Sequence, residues 1–203
     1  YNGLRDDIFG PLRAKAVQGT YAPASTFKMM TALAALEDGV LSPDDTIFCP
    51  GHFEISNNRF HCWKRQGHGV VNVADSIIQS CDVFFYAIGQ KVGIDKISAM
   101  ARRFGLGEHH DLPLSAVSRG VIPTRGWKQK SFDKSWLLGD TVNASIGQGY
   151  VLASPLQLAV MAARLGTGRP VQPRVLQTTN ACTLPWGHGS ALRVRPAHLP
   201  GST

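Results

Sequence analysis

Long apolar runs are missing from this 203-residue sequence. None approaches the ~18 residues needed to cross a bilayer, and residues 1–7 lack the basic and apolar pattern of an export signal. We therefore expect any membrane anchor or signal to lie outside this chain. The hydrophobic content of 43% is nevertheless enough for a packed core, which excludes disorder as the main state.

Carboxylates are absent after residue 140, and so is lysine. Residues 141–203 contain five arginines and therefore supply +5 of the net charge of +7. A basic stretch can bind nucleic acid, but these arginines are scattered without interleaved aromatic residues. We predict that the protein does not bind nucleic acid.

The last 26 residues, 178–203, form no periodic pattern and are rich in Pro, Gly, Thr and His. We predict a domain over residues 1–177, followed by a divergent and poorly ordered tail over residues 178–203.

Helical periodicity dominates the rest of the chain. Asp75 is placed as the N-cap of one helix, and Ser25 as the start of another. Residues 51–69 are polar and aromatic without periodicity, which predicts an irregular segment. The predicted helices cover residues 25–39, 75–89, 94–104 and 155–165.

Ser25 and Lys28 form a Ser-x-x-Lys motif at the start of an apolar helix. Their spacing places both side chains on one face, one turn apart. A buried lysine can lose its proton at neutral pH and activate the serine, and the helix N-terminus offers N–H groups to an oxyanion. A second Ser-x-x-Lys, Ser131 to Lys134, has no apolar helix behind it and is treated as background. The alternative for Ser25 is a plain N-cap serine.

Four sequence blocks carry a family resemblance: Y-A-P-A-S-T-F-K at 21–28, S-C-D-V-F-F-Y at 80–86, I-P-T-R-G-W-K-Q-K at 122–130 and S-I-G-Q-G-Y at 145–150. They resemble the transpeptidase domain of penicillin-binding proteins, and within these the elongation-type D,D-transpeptidases of the penicillin-binding protein 2 group. The resemblance implies a β-lactamase/transpeptidase-like α/β fold, with an antiparallel sheet flanked by helices and an all-helical subdomain. We expect this fragment to be helix-rich with an incomplete sheet.

The resemblance also implies roles for individual residues. Ser25 matches the acylated nucleophile and Lys28 its general base. Ser80 would relay a proton to the leaving D-alanine amine, and Asp82 would orient Lys28 and the substrate. The Ser-x-Asp or Ser-x-Asn pattern also begins at other serines, among them Ser42 and Ser56, so Ser80 is selected by its neighbours rather than by the tripeptide.

The third family motif, Lys-Thr-Gly, occurs nowhere in this sequence. That motif supplies a strand edge for the substrate, part of the oxyanion hole and a cation for the terminal carboxylate. We interpret the chain as truncated or frame-shifted at its C-terminal end, and we expect it to be a weak or inactive catalyst by itself.

Three cysteines and one histidine have the spacing C-x12-C-x5-H-x12-C: Cys49, Cys62, His68 and Cys81. Such a set can hold a tetrahedral zinc ion, but a Cys49–Cys62 disulfide or free thiols are alternatives, and His61 is an alternative nitrogen ligand. The resemblance favours zinc, because some relatives carry zinc ligands at these four places. Since Cys81 lies within the Ser-x-Asp motif, zinc would then stabilise the turn that carries Ser80.

By resemblance, the expected function is cross-linking of peptidoglycan stem peptides through a serine acyl-enzyme, with β-lactams acylating the same serine. The full-length protein would work on the periplasmic face of the bacterial inner membrane with a membrane glycan polymerase and rod-shape scaffold proteins. The alternatives are a serine β-lactamase or β-lactam sensor domain, and a non-catalytic zinc-stabilised module.

Overall fold

The computed structural model describes residues 1–175, so the predicted tail over residues 178–203 lies outside the described part of the chain. The helices of this part are α1 (Asn2–Arg5), α2 (Lys15–Gln18), α3 (Lys28–Glu37), α4 (Val73–Ile78), α5 (Asp82–Val92), α6 (Ile94–Arg103), α7 (Arg125–Phe132), α8 (Leu138–Ser145) and α9 (Pro155–Thr167). A 3-10 turn (Ala24–Phe27) precedes α3. The strands are β1 (Ile47–Cys49), β2 (His52–Ile55), β3 (Asn58–His61) and β4 (Gly69–Val71).

Helix α5 forms the centre of the core. Its Phe84, Phe85 and Ile88 are fully buried, and the helix packs against α3, α6 and α8. The apolar spacing in the sequence reflects this environment, since a helix surrounded by other helices is apolar on most of its faces. The helix-rich fold class is therefore confirmed for residues 1–175.

The small sheets are antiparallel and separate from each other. Strand β1 pairs with β4, placing Ile47 opposite Val71, and β2 pairs with β3, placing Phe53 opposite Phe60. Two isolated antiparallel bridges, Tyr21 to Ala153 and Val121 to Leu152, connect other parts of the chain. The expected incomplete sheet is thus present as two two-stranded pieces in the described residues.

The prediction of an irregular segment over residues 51–69 is wrong for residues 52–61, which form the β2–β3 hairpin, and holds for residues 62–68. Phe53 and Phe60 lie on one face of the hairpin, each with its ring centroid 6.0 Å from that of Tyr86. Glu54 and Arg59 form an ion pair on the other face. Four-residue strands carry too few alternating positions to be recognised by their pattern.

The prediction of one helix over residues 75–89 is also wrong, because the chain breaks between α4 and α5. Ser80 has a φ of +52° at this break, and Cys81 is the N-cap of α5. The N-cap of α4 is Asn72, whose side chain accepts a hydrogen bond from the N–H of Asp75. Asp75 itself lies in the first turn of α4, where its negative charge interacts favourably with the helix dipole.

The other predicted helices are confirmed with small changes of boundary. Helix α6 ends at Arg103, and α9 extends to Thr167 between a Ser154 capping box and Gly168 at a φ of +64°. Ser25 lies in the 3-10 turn rather than in α3 itself. Sequence periodicity did not reveal α7 and α8.

Over residues 1–175, no helix has both the length and the hydropathy required for a membrane span.

Candidate active site and cysteine cluster

The nucleophile candidate, Ser25, is exposed in the 3-10 turn at the N-terminal end of α3. Its Oγ accepts a hydrogen bond from Ser80 Oγ at 2.9 Å, although the two residues are 55 positions apart. Ala24, immediately before it, has a φ of +48°, a region that non-glycine residues rarely adopt. The local backbone therefore presents the hydroxyl outward instead of using it as an N-cap.

Lys28 is 2% exposed, and its Nζ has three oxygen partners. These are Asp82 Oδ1 at 2.6 Å, the Ser80 carbonyl oxygen at 2.9 Å and Ser80 Oγ at 3.0 Å. The Phe85 ring lies beneath it, with its centroid 5.6 Å from Nζ. Among the described residues, Lys28 has no direct hydrogen bond to Ser25, so the two are connected through the Ser80 hydroxyl.

Asp82 is the first residue of α5, where the helix dipole stabilises a negative charge. Its Oδ1 contacts Lys28, and its Oδ2 accepts a hydrogen bond from the main-chain N–H of Trp63 at 2.9 Å. The two carboxylate oxygens therefore hold two different parts of the site. The structure brings the four residues predicted from the sequence into one hydrogen-bonded group.

Trp63 was not identified from the sequence. Besides its main-chain bond to Asp82, its indole Nε1 donates hydrogen bonds to the carbonyl oxygens of Gln79 and Ser80, both at 3.1 Å. The only signal available in the sequence was its position directly after Cys62.

The S-I-G-Q-G-Y block at 145–150 lies behind the nucleophile turn. The Gly147 carbonyl accepts a hydrogen bond from the N–H of Ala24 at 2.9 Å. Gly147 has a φ of +71°, and a Cβ there would lie 2.6 Å from the Cβ of Phe27 and would collide with the Ala24 carbonyl oxygen. Only glycine allows this close approach, so the block supports the conformation of the turn.

The cysteine cluster joins four separate elements. Cys49 ends β1, Cys62 follows β3, His68 precedes β4, and Cys81 caps α5. Their four ligand atoms all lie within 4.8 Å of one another. His61, the alternative nitrogen ligand, lies on exposed β3 and is not part of this group.

Two separations within the cluster suit tetrahedral coordination of a metal ion. Zn–S bonds of about 2.3 Å and Zn–N bonds of about 2.0–2.1 Å separate the sulfur and nitrogen atoms of a tetrahedral site by about 3.6 Å. His68 Nδ1 lies 3.6 Å from Cys49 Sγ and 3.5 Å from Cys62 Sγ. Gly67, at a φ of +81°, packs so closely on the Cys49 carbonyl that a Cβ would collide with it, which keeps the two loops together.

The three clustered cysteines are buried free thiols, so the alternative of a Cys49–Cys62 disulfide is not what this structure contains. The contact between the Cys62 and Cys81 side chains lowers the pKa of Cys62, and the same contact together with burial raises the pKa of Cys81. The fourth cysteine, Cys182, lies outside the described residues.

An exposed serine that is connected to a buried lysine through a second serine hydroxyl is an arrangement that suits serine acyl transfer. The family model described as "Penicillin binding protein transpeptidase domain" matches residues 1–199. The chain belongs to this family.

Curated relatives with the name peptidoglycan D,D-transpeptidase MrdA come from several bacteria. The protein from Acinetobacter baumannii is 40% identical over 183 residues, which cover 89% of this chain and 27% of the relative. The protein from Escherichia coli K12 is 39% identical over 191 residues, which cover 92% of this chain and 30% of the relative. The chain therefore spans less than a third of the length of these relatives.

Solved structures give the same assignment of fold. Pseudomonas aeruginosa PBP2 in complex with WCK 5153 has a TM-score of 0.84 and 37% identity, covering 88% of this chain and 40% of that one. Helicobacter pylori PBP2 in complex with MreC has a TM-score of 0.82 and 36% identity, covering 85% of this chain and 33% of that one. A chain of a peptidoglycan synthase complex that coordinates polymerization and crosslinking has a TM-score of 0.80 and 32% identity, covering 87% of this chain and 30% of that one.

Proposed function

We propose that this chain is part of a peptidoglycan D,D-transpeptidase that cross-links stem peptides during cell-wall elongation. Family membership supports the reaction class, and the names of the curated relatives support the substrate. The observation that carries the proposal is the unbroken hydrogen-bonded path from Ser25 Oγ through Ser80 Oγ to Lys28 Nζ, with steps of 2.9 and 3.0 Å.

The same contacts serve two protonation states of Lys28. A charged ammonium donates to all three of its oxygen partners, whereas a neutral amine donates to Asp82 and the Ser80 carbonyl and accepts from the Ser80 hydroxyl. In the neutral state, Ser80 can accept the proton of Ser25 while it passes its own to Lys28. The Asp82 carboxylate then stabilises the ammonium that forms.

Acylation follows from this arrangement. Ser25 Oγ attacks the carbonyl carbon of the D-Ala-D-Ala bond, an ester forms, and the peptide C–N bond breaks. The proton held on Lys28 returns through Ser80 to the leaving D-alanine amine. An amine of a neighbouring stem peptide then attacks the ester carbonyl carbon. An amide C–N bond forms, the ester C–O bond breaks, and a proton from the amine passes through Lys28 and Ser80 to Ser25 Oγ, which completes the cross-link.

A fluorescent penicillin tests the proposal on the purified chain. We expect Ser25→Ala to abolish the covalent adduct, and Ser131→Ala, in the second Ser-x-x-Lys motif, to retain it. An adduct that survives Ser25→Ala would contradict the proposal. Rapid hydrolytic release of the adduct would favour a serine β-lactamase, and no adduct at any serine would favour a non-catalytic module.

The absence of Lys-Thr-Gly leads to a further prediction for the same assay. We expect the chain to label more slowly than a family member that contains all three motifs, because part of the oxyanion hole and the carboxylate-binding cation are missing. Labelling at an equal rate would contradict this prediction.

We propose that Cys49, Cys62, His68 and Cys81 hold a structural Zn²⁺ ion. The proposal is supported by the soft donor set, by the burial of all three thiols and by sulfur–nitrogen separations that suit tetrahedral coordination. All four positions would be filled by protein ligands, so the metal would stabilise the fold rather than act on substrate.

Metal analysis and thermal unfolding test the zinc proposal together. We expect one zinc per chain, a lower melting temperature after chelation, and loss of both zinc and stability in Cys81→Ala. Cys182→Ala is the control, since the four proposed ligands do not include this cysteine, and it should retain the metal. A Cys81→Ala variant that keeps full zinc content would contradict the assignment.

We also propose that the whole protein acts on the periplasmic face of the bacterial inner membrane. A rod-shape scaffold partner is supported by the Helicobacter pylori PBP2 complex with MreC, and a glycan polymerase partner by the peptidoglycan synthase complex. Co-purification of the full-length protein with each candidate partner tests this assembly. A full-length protein that co-purifies with neither would contradict it.

A further inference from the structure

Trp63 lies between the cysteine cluster and the turn that carries Ser80. It follows Cys62 directly, and its ring is 5.4 Å from the ring of His68, at an interplanar angle of 64°. On the other side, it makes the three hydrogen bonds described above, to Gln79, Ser80 and Asp82. One residue thus contacts both the cluster and the candidate active site.

The bonds from Trp63 reach the groups that hold Lys28. The Ser80 carbonyl oxygen accepts from Lys28 Nζ at 2.9 Å and from the Trp63 indole at 3.1 Å. The Asp82 carboxylate contacts Lys28 with Oδ1 and the Trp63 main chain with Oδ2. Trp63 therefore supplies a second hydrogen bond to each of these groups.

The turn needs such external support. Ser80 adopts a φ of +52°, a strained conformation for a residue with a Cβ, and strain of this kind persists only where surrounding contacts hold it. Two main-chain bonds help, from the N–H of Ser80 to Ile77 and from the N–H of Cys81 to Ser76. The indole bonds hold the opposite, carbonyl side of the turn.

Trp63 contributes little to the core, because it is 64% exposed. A tryptophan retained for packing would be largely buried, since its stabilising effect comes from apolar area removed from water. The indole N–H group is the part of this side chain with defined partners. Removal of this N–H group should therefore loosen the turn at Ser80 while changing the free energy of unfolding little.

We propose that Trp63 is a positioning residue for acylation: its indole N–H fixes the Ser80 carbonyl, and its main-chain N–H fixes Asp82, so that Lys28 and the Ser80 hydroxyl stay aligned with Ser25. This inference rests on the proposed transpeptidase function. The cysteine cluster would then support the active site at two points: through Cys81, which adjoins Ser80, and through Cys62, which adjoins Trp63.

Replacement of Trp63 by 3-benzothienylalanine tests the inference, since sulfur replaces the N–H group while the ring keeps its shape. Trp63→Phe serves as a second variant. The same replacement at Trp127 is the matched control, because that ring contacts Phe132 and Tyr150 instead of the turn. Two measurements are made on each protein: penicillin acylation at varied concentration, and amide hydrogen exchange.

We expect the acylation rate constant at saturating penicillin to fall about threefold to tenfold, in line with the loss of one hydrogen bond. The concentration for half-saturation should change less than about twofold, because the bond positions the catalytic groups rather than the ligand. Exchange at the Ser80 and Cys81 amides should accelerate, with α3 and α8 unchanged. The Trp127 control should alter neither the acylation rate nor exchange in the turn.

Unchanged acylation and unchanged exchange in the Trp63 isostere would overturn the inference. A change confined to the half-saturation concentration would also overturn it, because it would indicate a contact with the ligand. If the unmodified chain forms no adduct, the proposed function fails on that result, and the exchange data alone decide whether Trp63 holds the turn.

Discussion

Replacement of Asp140 by asparagine is expected to destabilise the fold more than replacement of its partner, Lys128, by methionine. Lys128 Nζ and Asp140 Oδ2 are 2.5 Å apart, and the two side chains are 5% and 16% exposed. The rings of Trp136 and Tyr150 lie 5.8 and 5.6 Å from the same Nζ. Asp140 Oδ2 also accepts the N–H of Leu137 at 2.7 Å and so caps α8.

The magnitudes follow from the group that each variant leaves behind. Asp140→Asn retains an acceptor for the cap but leaves a buried ammonium without its counter-charge, which costs about 3–5 kcal/mol. Lys128→Met leaves a partly exposed carboxylate in the first turn of α8, where the helix dipole and the Leu137 N–H still stabilise it, so we expect about 1–3 kcal/mol. The double variant should be more stable than Asp140→Asn alone, because an apolar residue then replaces the isolated charge.

Urea denaturation followed by circular dichroism measures these differences in a double-mutant cycle. Lys96→Met is the control, since the Lys96–Asp38 pair is of the same type but its lysine is 59% exposed, and we expect a loss of about 0–1 kcal/mol. The reasoning would be refuted if Asp140→Asn cost no more than Lys96→Met. Strict additivity in the double variant would refute it as well.

Two other predictions concern a buried histidine and a pair of glycines. Burial lowers the pKa of His110 from 6.5, so the unfolded chain binds a proton at higher pH than the folded chain does. The stability that His110 contributes should be complete above pH 6.5 and lost as the pH falls from there towards its lowered folded pKa. Between pH 7.5 and pH 5, urea denaturation should show a smaller decrease in the free energy of unfolding for His110→Gln than for the unmodified chain. An equal decrease would contradict this account. Gly147→Ala should destabilise the fold by more than about 1 kcal/mol, because its φ is positive and a Cβ would meet Ala24 and Phe27. Gly166→Ala, in open space within α9, should instead stabilise the fold by about 0.4–1 kcal/mol; thermal unfolding that ranked the two variants in reverse would exclude the packing argument.

Much of the fold was predictable where local signals and tertiary packing agree. The periodicity of α6 and α9 indicated these helices within three residues at each end. The β2–β3 hairpin was not predictable, because its order comes from packing on Tyr86. The break between α4 and α5 was hidden as well, since apolar spacing continues through the turn at Ser80.

The sequence by itself determined the chemistry that this protein can offer: a Ser-x-x-Lys motif at a helix start, a Ser-x-Asp motif, four potential metal ligands and the blocks that reveal the family. Residue types and short spacings are sufficient for such inferences, because one helical turn already places Ser25 and Lys28 together. Only the tertiary structure decided that Ser80 stands between them, that the cysteine cluster closes, and that Trp63 joins the two sites. Several of these contacts join residues far apart in the sequence, such as Ser25 and Ser80 at 55 positions and Trp63 and Gln79 at 16. Their geometry depends on one strained turn held by packing from several elements, which no local pattern encodes.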